Sequence, residues 1–317
     1  MQNGSEEKRH PIKVVVRRTG LTPDVLRVWE KRYGVVRPGR SGGGHRLYSD
    51  ADVERLLLLS RVTAAGRRIG RMAELGNEDL HELAREDAEA ALVAREAEVV
   101  SMRSEPHLGA SLAAVESLDA RDLETSLMRA TVALPAAVLI EDVVAPLLAR
   151  IGEQWEHGQI TPGHEHVATG VIRRVLESII TACAPEADAP GLVATTPAGQ
   201  THEFGGLLVG ATAAALGWRV TYLGANLPAR NIAEVARRTG TNVIALSIVY
   251  PHDDPLLPAE LRTLREAAGP DTEILVGGRA AQHYREAVEA IGATIVTGLP
   301  QLVDYLQGRL TGRQAAV

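Results

Sequence analysis

Apolar positions recur along this chain at two different spacings. From Ile12 to about Ala182 they return every three or four residues, the helical period; from Leu192 onward, short apolar runs alternate with helical stretches. Residues 12–75 predict short helices around one β-wing. Ile12–Arg18 reads as a helix, Thr19-Gly20-Leu21 as a tight turn, and Thr22-Pro23 as an N-cap with proline in the first helical position. The next helix, Pro23–Tyr33, sets Val25, Val28, Trp29 and Arg32 at helical spacing. Trp29 is expected to anchor the core, because two helices joined by a tight turn need an apolar contact there. Gly42-Gly43-Gly44 predicts a β-turn, His45–Tyr48 an alternating strand, and Ser49-Asp50 the cap of a helix over Ala51–Ala65.

Residues 77–105 are rich in Ala, Glu and Arg and read as one long helix, or a helix and a linker, ended by Glu105-Pro106-His107. Four helices follow, near 108–117, 120–132, 135–157 and 161–183, with Pro135, Pro146 and Pro162 close to helix starts and one kink. Their short connections favour an antiparallel bundle. Beyond residue 190, the runs Leu192–Ala194, Val220–Leu223, Val243–Ser247, Ile274–Val276 and Thr294–Val296 predict buried parallel strands separated by helices. The expected fold class is therefore multidomain, α and α/β. It combines a helix-turn-helix with a wing (1–78), a helical linker (79–106), a four-helix bundle (107–186) and a doubly wound parallel sheet (187–317). In such sheets ligands sit beyond the carboxyl ends of the strands.

No run approaches 18 apolar residues, and Met1–His10 lacks the apolar core of a signal peptide. Cys183 is the single cysteine, which excludes an intramolecular disulfide and a cysteine-cluster metal site. A cytoplasmic protein with no membrane partner is expected. The net charge of −6 hides an asymmetry: residues 1–75 carry 16 Lys/Arg against 8 Asp/Glu, and the remainder 18 against 32. A basic head on an acidic body is the arrangement of a nucleic-acid module attached to something else. Arg17 and Arg18 close the first helix, Arg27, Lys31 and Arg32 lie on the second, and Arg27 and Lys31 share a face at i and i+4. Such side chains suit a major groove about 12 Å wide. His45, Arg46 and Tyr48 on the wing are expected to reach phosphates, contacts that position rather than specify.

The segments Leu21-Thr22-Pro23, Trp29-Glu30-Lys31-Arg32-Tyr33-Gly34 and Gly43-Gly44-His45-Arg46-Leu47-Tyr48-Ser49 resemble the winged helix-turn-helix of MerR-type transcription regulators. The resemblance covers about 65 residues and implies binding to double-stranded promoter DNA as an oligomer. Metal-ion sensing is not expected, because the cysteines that such sensors use are missing.

Two further motifs point to one ligand. Gln200-Thr201-His202-Glu203-Phe204-Gly205 lies where the first strand hands over to a helix. A loop imidazole can ligate a metal there, and Gly205 lets a bulky ligand approach the backbone. Ser247 and Gly277-Gly278 end neighbouring strands on the same edge, so these positions are expected to line one deep slot. This half resembles cobalamin-binding modules, whose pattern is Asp/Glu-x-His-x-x-Gly, then a Ser loop, then Gly-Gly. The resemblance implies that His202 ligates cobalt from below and that Gly205, Ser247, Gly277 and Gly278 accommodate the displaced nucleotide tail. Gln200 replaces the usual carboxylate; its amide oxygen is expected to accept the hydrogen bond from the imidazole.

The helical segment resembles the bundle that caps the corrinoid in light-responsive MerR-type repressors, which carry Trp, nine residues, then Glu-His. Trp155, Glu165 and His166 match that spacing. By resemblance, Trp155 covers the upper axial group and Glu165 and His166 meet the adenosyl sugar, with His164 a less secure neighbour. Some relatives place His directly after the Trp; here Glu156 stands there and His157 follows, turned by about 100° on a helix. Ligation by two histidines after illumination is therefore not expected. The resulting expectation is an adenosylcobalamin-dependent, light-responsive repressor that is tetrameric in the dark. The alternatives are a regulator of the same build that senses another cobalamin form or tetrapyrrole, or one that acts independently of light. An enzyme is not expected, because methyltransferases and mutases that use the module need a substrate domain.

Overall fold

A computed structural model of the protein describes residues 7–314, with side chains throughout that range except at 93–99 and 312–314. It divides into two compact units that meet in sequence at Val99 and Val100.

In the first unit, β1 (His10–Pro11) leads into α1 (Ile12–Thr19), α2 (Pro23–Val28), a π-helical turn over Trp29–Tyr33, β2 (Gly39–Arg40) and β3 (Arg46–Tyr48). Then come α3 (Asp50–Ala64), α4 (Ile69–Met72) and the start of α5 (Asn77–Glu116). Local chemistry sets the ends. Gly20, at φ 71°, stops α1; Thr22 caps α2 by accepting from the Val25 amide; Ser49 and Asp52 form a reciprocal capping box on α3. The strands pair antiparallel in the order β1-β3-β2, so the wing has a third strand that alternation did not predict. Val15, Leu26, Trp29, Leu56, Leu59 and Leu80 make the core, with Trp29 in its expected place. Arg55 braces it by donating to the carbonyls of Val35, Ala73 and Leu75 and to Asn77 Oδ1, at 2.8–3.1 Å.

In the second unit the end of α5 packs with α6 (Ala120–Ala133), α7 (Ala136–Val138), α8 (Ala145–Glu156) and α9 (Pro162–Ala182). One proline expectation changes. Pro106 does not end a helix: α5 runs through it to Glu116. Strong helix formers flank it, and the residue whose carbonyl loses its partner, Met102, is exposed and can be hydrated. Pro146 is absorbed in another way. A π-turn over Leu139–Val144 joins α7 to α8, and its wider loop makes room for a ring that a regular helix would push against the carbonyl four residues back.

The remainder alternates: β4 (Gly191–Thr195), α10 (Phe204–Ala215), β5 (Arg219–Tyr222), α11 (Ala229–Thr239), β6 (Val243–Ser247), α12 (Leu257–Ala268) and β7 (Glu273–Gly277). A 3-10 turn (Ala281–Tyr284), α13 (Arg285–Ala290), β8 (Thr294–Ile295) and α14 (Leu299–Gln314) follow. Five parallel strands lie in the order β5-β4-β6-β7-β8. β4 and β6 are buried at every position, as expected of central strands covered on both faces. The chain leaves β4 toward one neighbour and later returns beside it as β6. Their carboxyl ends therefore flank the switch point, where doubly wound sheets open a crevice. Leu207 and Ala211 of α10 belong to the same apolar cluster as Leu127, Leu147, Ile172 and Leu176 of the bundle, while Ala213 faces the sheet with Trp218. Bundle and sheet thus share one core through α10.

Pro106→Ala restores the missing amide in an exposed helical position and should stabilise the protein by up to about 3 kcal/mol. A rise in thermal midpoint, followed by circular dichroism, is the expected result; a fall would mean that the proline fits a bend the fold requires.

Candidate functional site

The basic head presents most of its predicted cations to solvent. Arg17 and Arg18 end α1 exposed, with Arg18 lying 3.8 Å from Asp50. Arg27 is exposed and pairs with Asp24 at 2.8 Å. Lys31 and Arg32 are exposed on the π-turn, with Arg32 above the Tyr33 ring at 5.5 Å, and His45 is exposed at the hairpin. Tyr48 is a correction. It is 0% exposed and its hydroxyl donates to Glu30, so it cannot reach a phosphate. Burial and the Glu30 carboxylate push its pKa well above that of a free phenol. Arg46, half-exposed, donates through Nε to the other Glu30 oxygen at 2.9 Å. Glu30 therefore ties the wing to the second helix, and Tyr48 aligns the surface without touching what binds it.

In the second unit, His202 lies in the loop after β4, at the switch point, and is exposed. Its ring meets Tyr250 edge-on, with centroids 6.0 Å apart at 77°. Gln200 does not hold the imidazole through its oxygen, contrary to expectation. It is fully buried, and Oε1 accepts the amides of Val249 and Tyr250 at 3.0 and 3.2 Å. That pairing fixes the amide orientation and leaves Nε2, a donor, buried without a partner. Gln200 therefore braces the loop after β6, the loop that carries Tyr250.

Gly205 opens α10 directly above Ser247, and a Cβ on Gly205 would collide with the Ser247 hydroxyl. Gly278, at φ +99°, lies so close to the Ile248 backbone that no side chain fits. The predicted slot is there. Gly205, Ser247, Gly277 and Gly278 line one cavity of about 380 Å³ whose other walls include Leu208, Leu246 and Val296. The Ser247 hydroxyl is buried without a hydrogen-bond partner. A mostly apolar slot with one waiting hydroxyl suits a flat heteroaromatic group with few acceptors.

Trp155, near the end of α8, is 53% exposed, a large aromatic left without cover. Glu165 and His166 stand in the first turn of α9, bonded to each other at 2.6 Å, with the imidazole facing solvent. His164 serves as a capping partner of Thr161. His157 donates Nδ1–H to the Glu153 carbonyl of its own helix at 2.6 Å. Four residues escaped the sequence reading. Glu203 accepts from Arg173 of α9 and, at 2.9 Å, from the Tyr222 hydroxyl; Arg173 also covers the Phe204 ring at 5.6 Å. The Arg173 hydrogen bond holds the Glu203 pKa below its ordinary value, while burial pushes that of Tyr222 up. Arg279, next to Gly278, donates to Glu156 at 2.6 Å and so ties the end of the Trp155 helix to the rim of the slot. Position beside His202 and beside the glycine pair was the available signal for Glu203 and Arg279; Arg173 and Tyr222 had none.

Comparison with known proteins agrees with this layout. Residues 11–77 match the MerR HTH family regulatory protein model, and residues 110–180 and 190–299 match two B12 binding domain models. The HTH-type transcriptional repressor CarH of Myxococcus xanthus is 31% identical over 296 residues, which is 92% of this chain and 96% of that protein. This chain belongs to the MerR family of regulators with B12-binding domains. The repressor CarA of the same organism is 29% identical over 294 residues, 92% of this chain and 94% of its own length. Among solved structures, the monomethylamine corrinoid protein of Methanosarcina barkeri shares the fold, with TM-score 0.52, 18% identity, and 63% of this chain and 97% of that one covered.

For a MerR-family chain with B12-binding domains, the residues at the switch point fit a corrinoid. The orphaned Ser247 hydroxyl and the glycine cradle match a buried heteroaromatic tail, and His202 stands free to serve as a nitrogen ligand. Gly205→Ala fills the cradle and should lower cobalamin affinity by about fivefold to about 150-fold in a visible-light titration, since an overpacked site costs about 1–3 kcal/mol; unchanged affinity would remove Gly205 from the tail slot. The Glu203 pKa lies below 4.5 in the folded state. Its contribution to stability is therefore complete above that pH and is lost as pH falls through the lower, folded value. Glu203→Gln should reduce the acid-side loss of stability measured by urea titration between about pH 6 and about pH 3.

Proposed function

We propose that this protein is a light-responsive transcriptional repressor that requires adenosylcobalamin, binds double-stranded promoter DNA in the dark and releases it on illumination. One observation carries this reading. The carboxyl edge of the sheet offers an exposed imidazole and an apolar slot together, and the Glu156–Arg279 pair ties the helix of the uncovered Trp155 to that slot's rim. In this reading His202 is the lower cobalt ligand, and Gly205, Ser247, Gly277 and Gly278 seat the tail. Trp155, Glu165 and His166 would hold the adenosyl group. Arg17, Arg18, Arg27, Lys31, Arg32, His45 and Arg46 face the duplex.

The bound cofactor supplies a cobalt–carbon bond that light can cleave. The chain's own part is to make one packing depend on the upper group. With that group in place, Trp155 gains a partner for its exposed face, and α8 and α9 are held against the sheet. Without it Trp155 would stay uncovered, as it is here at 53% exposure, and α8 would be held to the slot only through Glu156 and Arg279. A ligand shifts such an equilibrium only by its different affinity for the two arrangements. Homotetramer formation in the dark supports DNA retention, because several heads on one operator raise effective concentration. Glu156 is engaged by Arg279, and the His157 ring by the Glu153 carbonyl. Cytoplasmic function accords with the finding that no described helix is long and apolar enough to cross a membrane.

The direct test is an electrophoretic mobility shift of promoter DNA with protein and adenosylcobalamin, kept dark or lit. Retention in the dark and release in light is the expected outcome. Equal retention in both would end the photoswitch reading and leave a repressor set by ligand supply.

A further inference from the structure

Among the described residues that line the slot, Arg279 alone carries a charge. Its backbone is fixed. Gly278 before it admits no side chain against Ile248, and the Ala280 amide after it donates to the Ile248 carbonyl at 3.0 Å. The side chain is thus launched from a rigid point at the rim. Nη1 donates to Glu156 Oε1, and the guanidinium also lies beside Gly152, one turn earlier on α8. One cation therefore touches both the slot and the helix that carries Trp155.

A guanidinium has five N–H donors in a planar fork, and the bond to Glu156 engages one edge. The rest can take a second anion. The nucleotide tail of a complete corrinoid contains one formal charge, the phosphodiester that links its base to the ring's side chain. No other lining residue can pair with that charge, since the remaining walls are apolar, glycine or neutral polar. A phosphate at the mouth of an apolar slot without a partner would be costly.

We propose that Arg279 is a specificity-determining residue. It pairs with the ligand's phosphodiester on one edge and with Glu156 on the other, so the protein selects tail-bearing corrinoids and transmits tail occupancy to the Trp155 helix. This rests on the corrinoid reading above. The ion pair is half-exposed at both ends, 62% and 50%, so it does little for stability by itself. Its consequence lies in coupling two parts of one site.

The test is a dark titration of the full-length protein with adenosylcobalamin and with adenosylcobinamide, which keeps the ring and upper group but lacks the phosphodiester and base. Wild type should prefer adenosylcobalamin. Arg279→Ala should lose about tenfold to about a hundredfold in affinity for adenosylcobalamin, the worth of one charge-assisted pair, while adenosylcobinamide binding stays within about twofold. Arg279→Lys should recover part of the loss, keeping the charge without the fork. Glu156→Gln should keep the preference for adenosylcobalamin but lose the ligand-induced hydrogen-exchange protection at the end of α8. Equal losses for both ligands in Arg279→Ala would reduce Arg279 to a structural prop and overturn the proposal, as would an unchanged adenosylcobalamin affinity. Failure of wild type to bind either ligand would instead overturn the corrinoid reading, and the proposal with it.

Discussion

Helix α10 has almost no face left for water, and the site follows from that. Its sequence is apolar all round, which is the mark of a helix buried on every side. One side joins the bundle core and the other lies on the sheet. Gly206 lets its first turn lie directly against the Thr195 backbone. A helix so confined cannot tilt without opening two cores. Its N-terminus, and the His202 loop that feeds it, are therefore held at one place relative to both the sheet and the bundle.

Polar contacts then set the loops that this wedge leaves outside. Gln200 is a buried brace to the backbone after β6, Thr196 accepts from Asn226, and Glu203 gathers Arg173 and Tyr222. The first two join segments that leave different strands on the same edge, and the third joins the loop after β4 to the bundle and to β5. The result is a rigid floor with a few groups left unpaired: the Ser247 hydroxyl, the Gln200 amide nitrogen and the exposed faces of His202 and Trp155. Unpaired buried groups are costly, and of these the Ser247 hydroxyl lies in the slot itself.

The basic head uses the same logic at smaller scale. Glu30 collects Tyr48 and Arg46, so the wing is fixed by a carboxylate on the neighbouring helical turn. Arg55 does the equivalent for the turns behind it. Both residues are charged yet spend their charge on shape, while Arg17, Arg27, Lys31 and Arg32 stay exposed.

Periodicity, with turn glycines, caps and prolines, placed all five strands of the larger sheet, the bundle helices and the main strand of the wing, because burial of alternate or every third and fourth residue leaves its imprint in the order of the chain. It also placed Trp29 in the core and the His202, Ser247 and Gly277-Gly278 positions on one sheet edge, since strand ends are local features. Four things needed the fold. Pro106 stands inside a helix because strong helix formers flank it and the carbonyl it leaves without a partner is at an exposed residue, Met102. Tyr48 turns inward because Glu30, eighteen residues away, waits for its hydroxyl. Gln200 serves Val249 and Tyr250 rather than His202. Arg279 meets Glu156 across 123 residues of chain. For Tyr48, Gln200 and Arg279 the partner is distant in sequence, and a hydrogen bond or ion pair is decided by which groups the packed backbone brings within about 3 Å, something that no local pattern encodes.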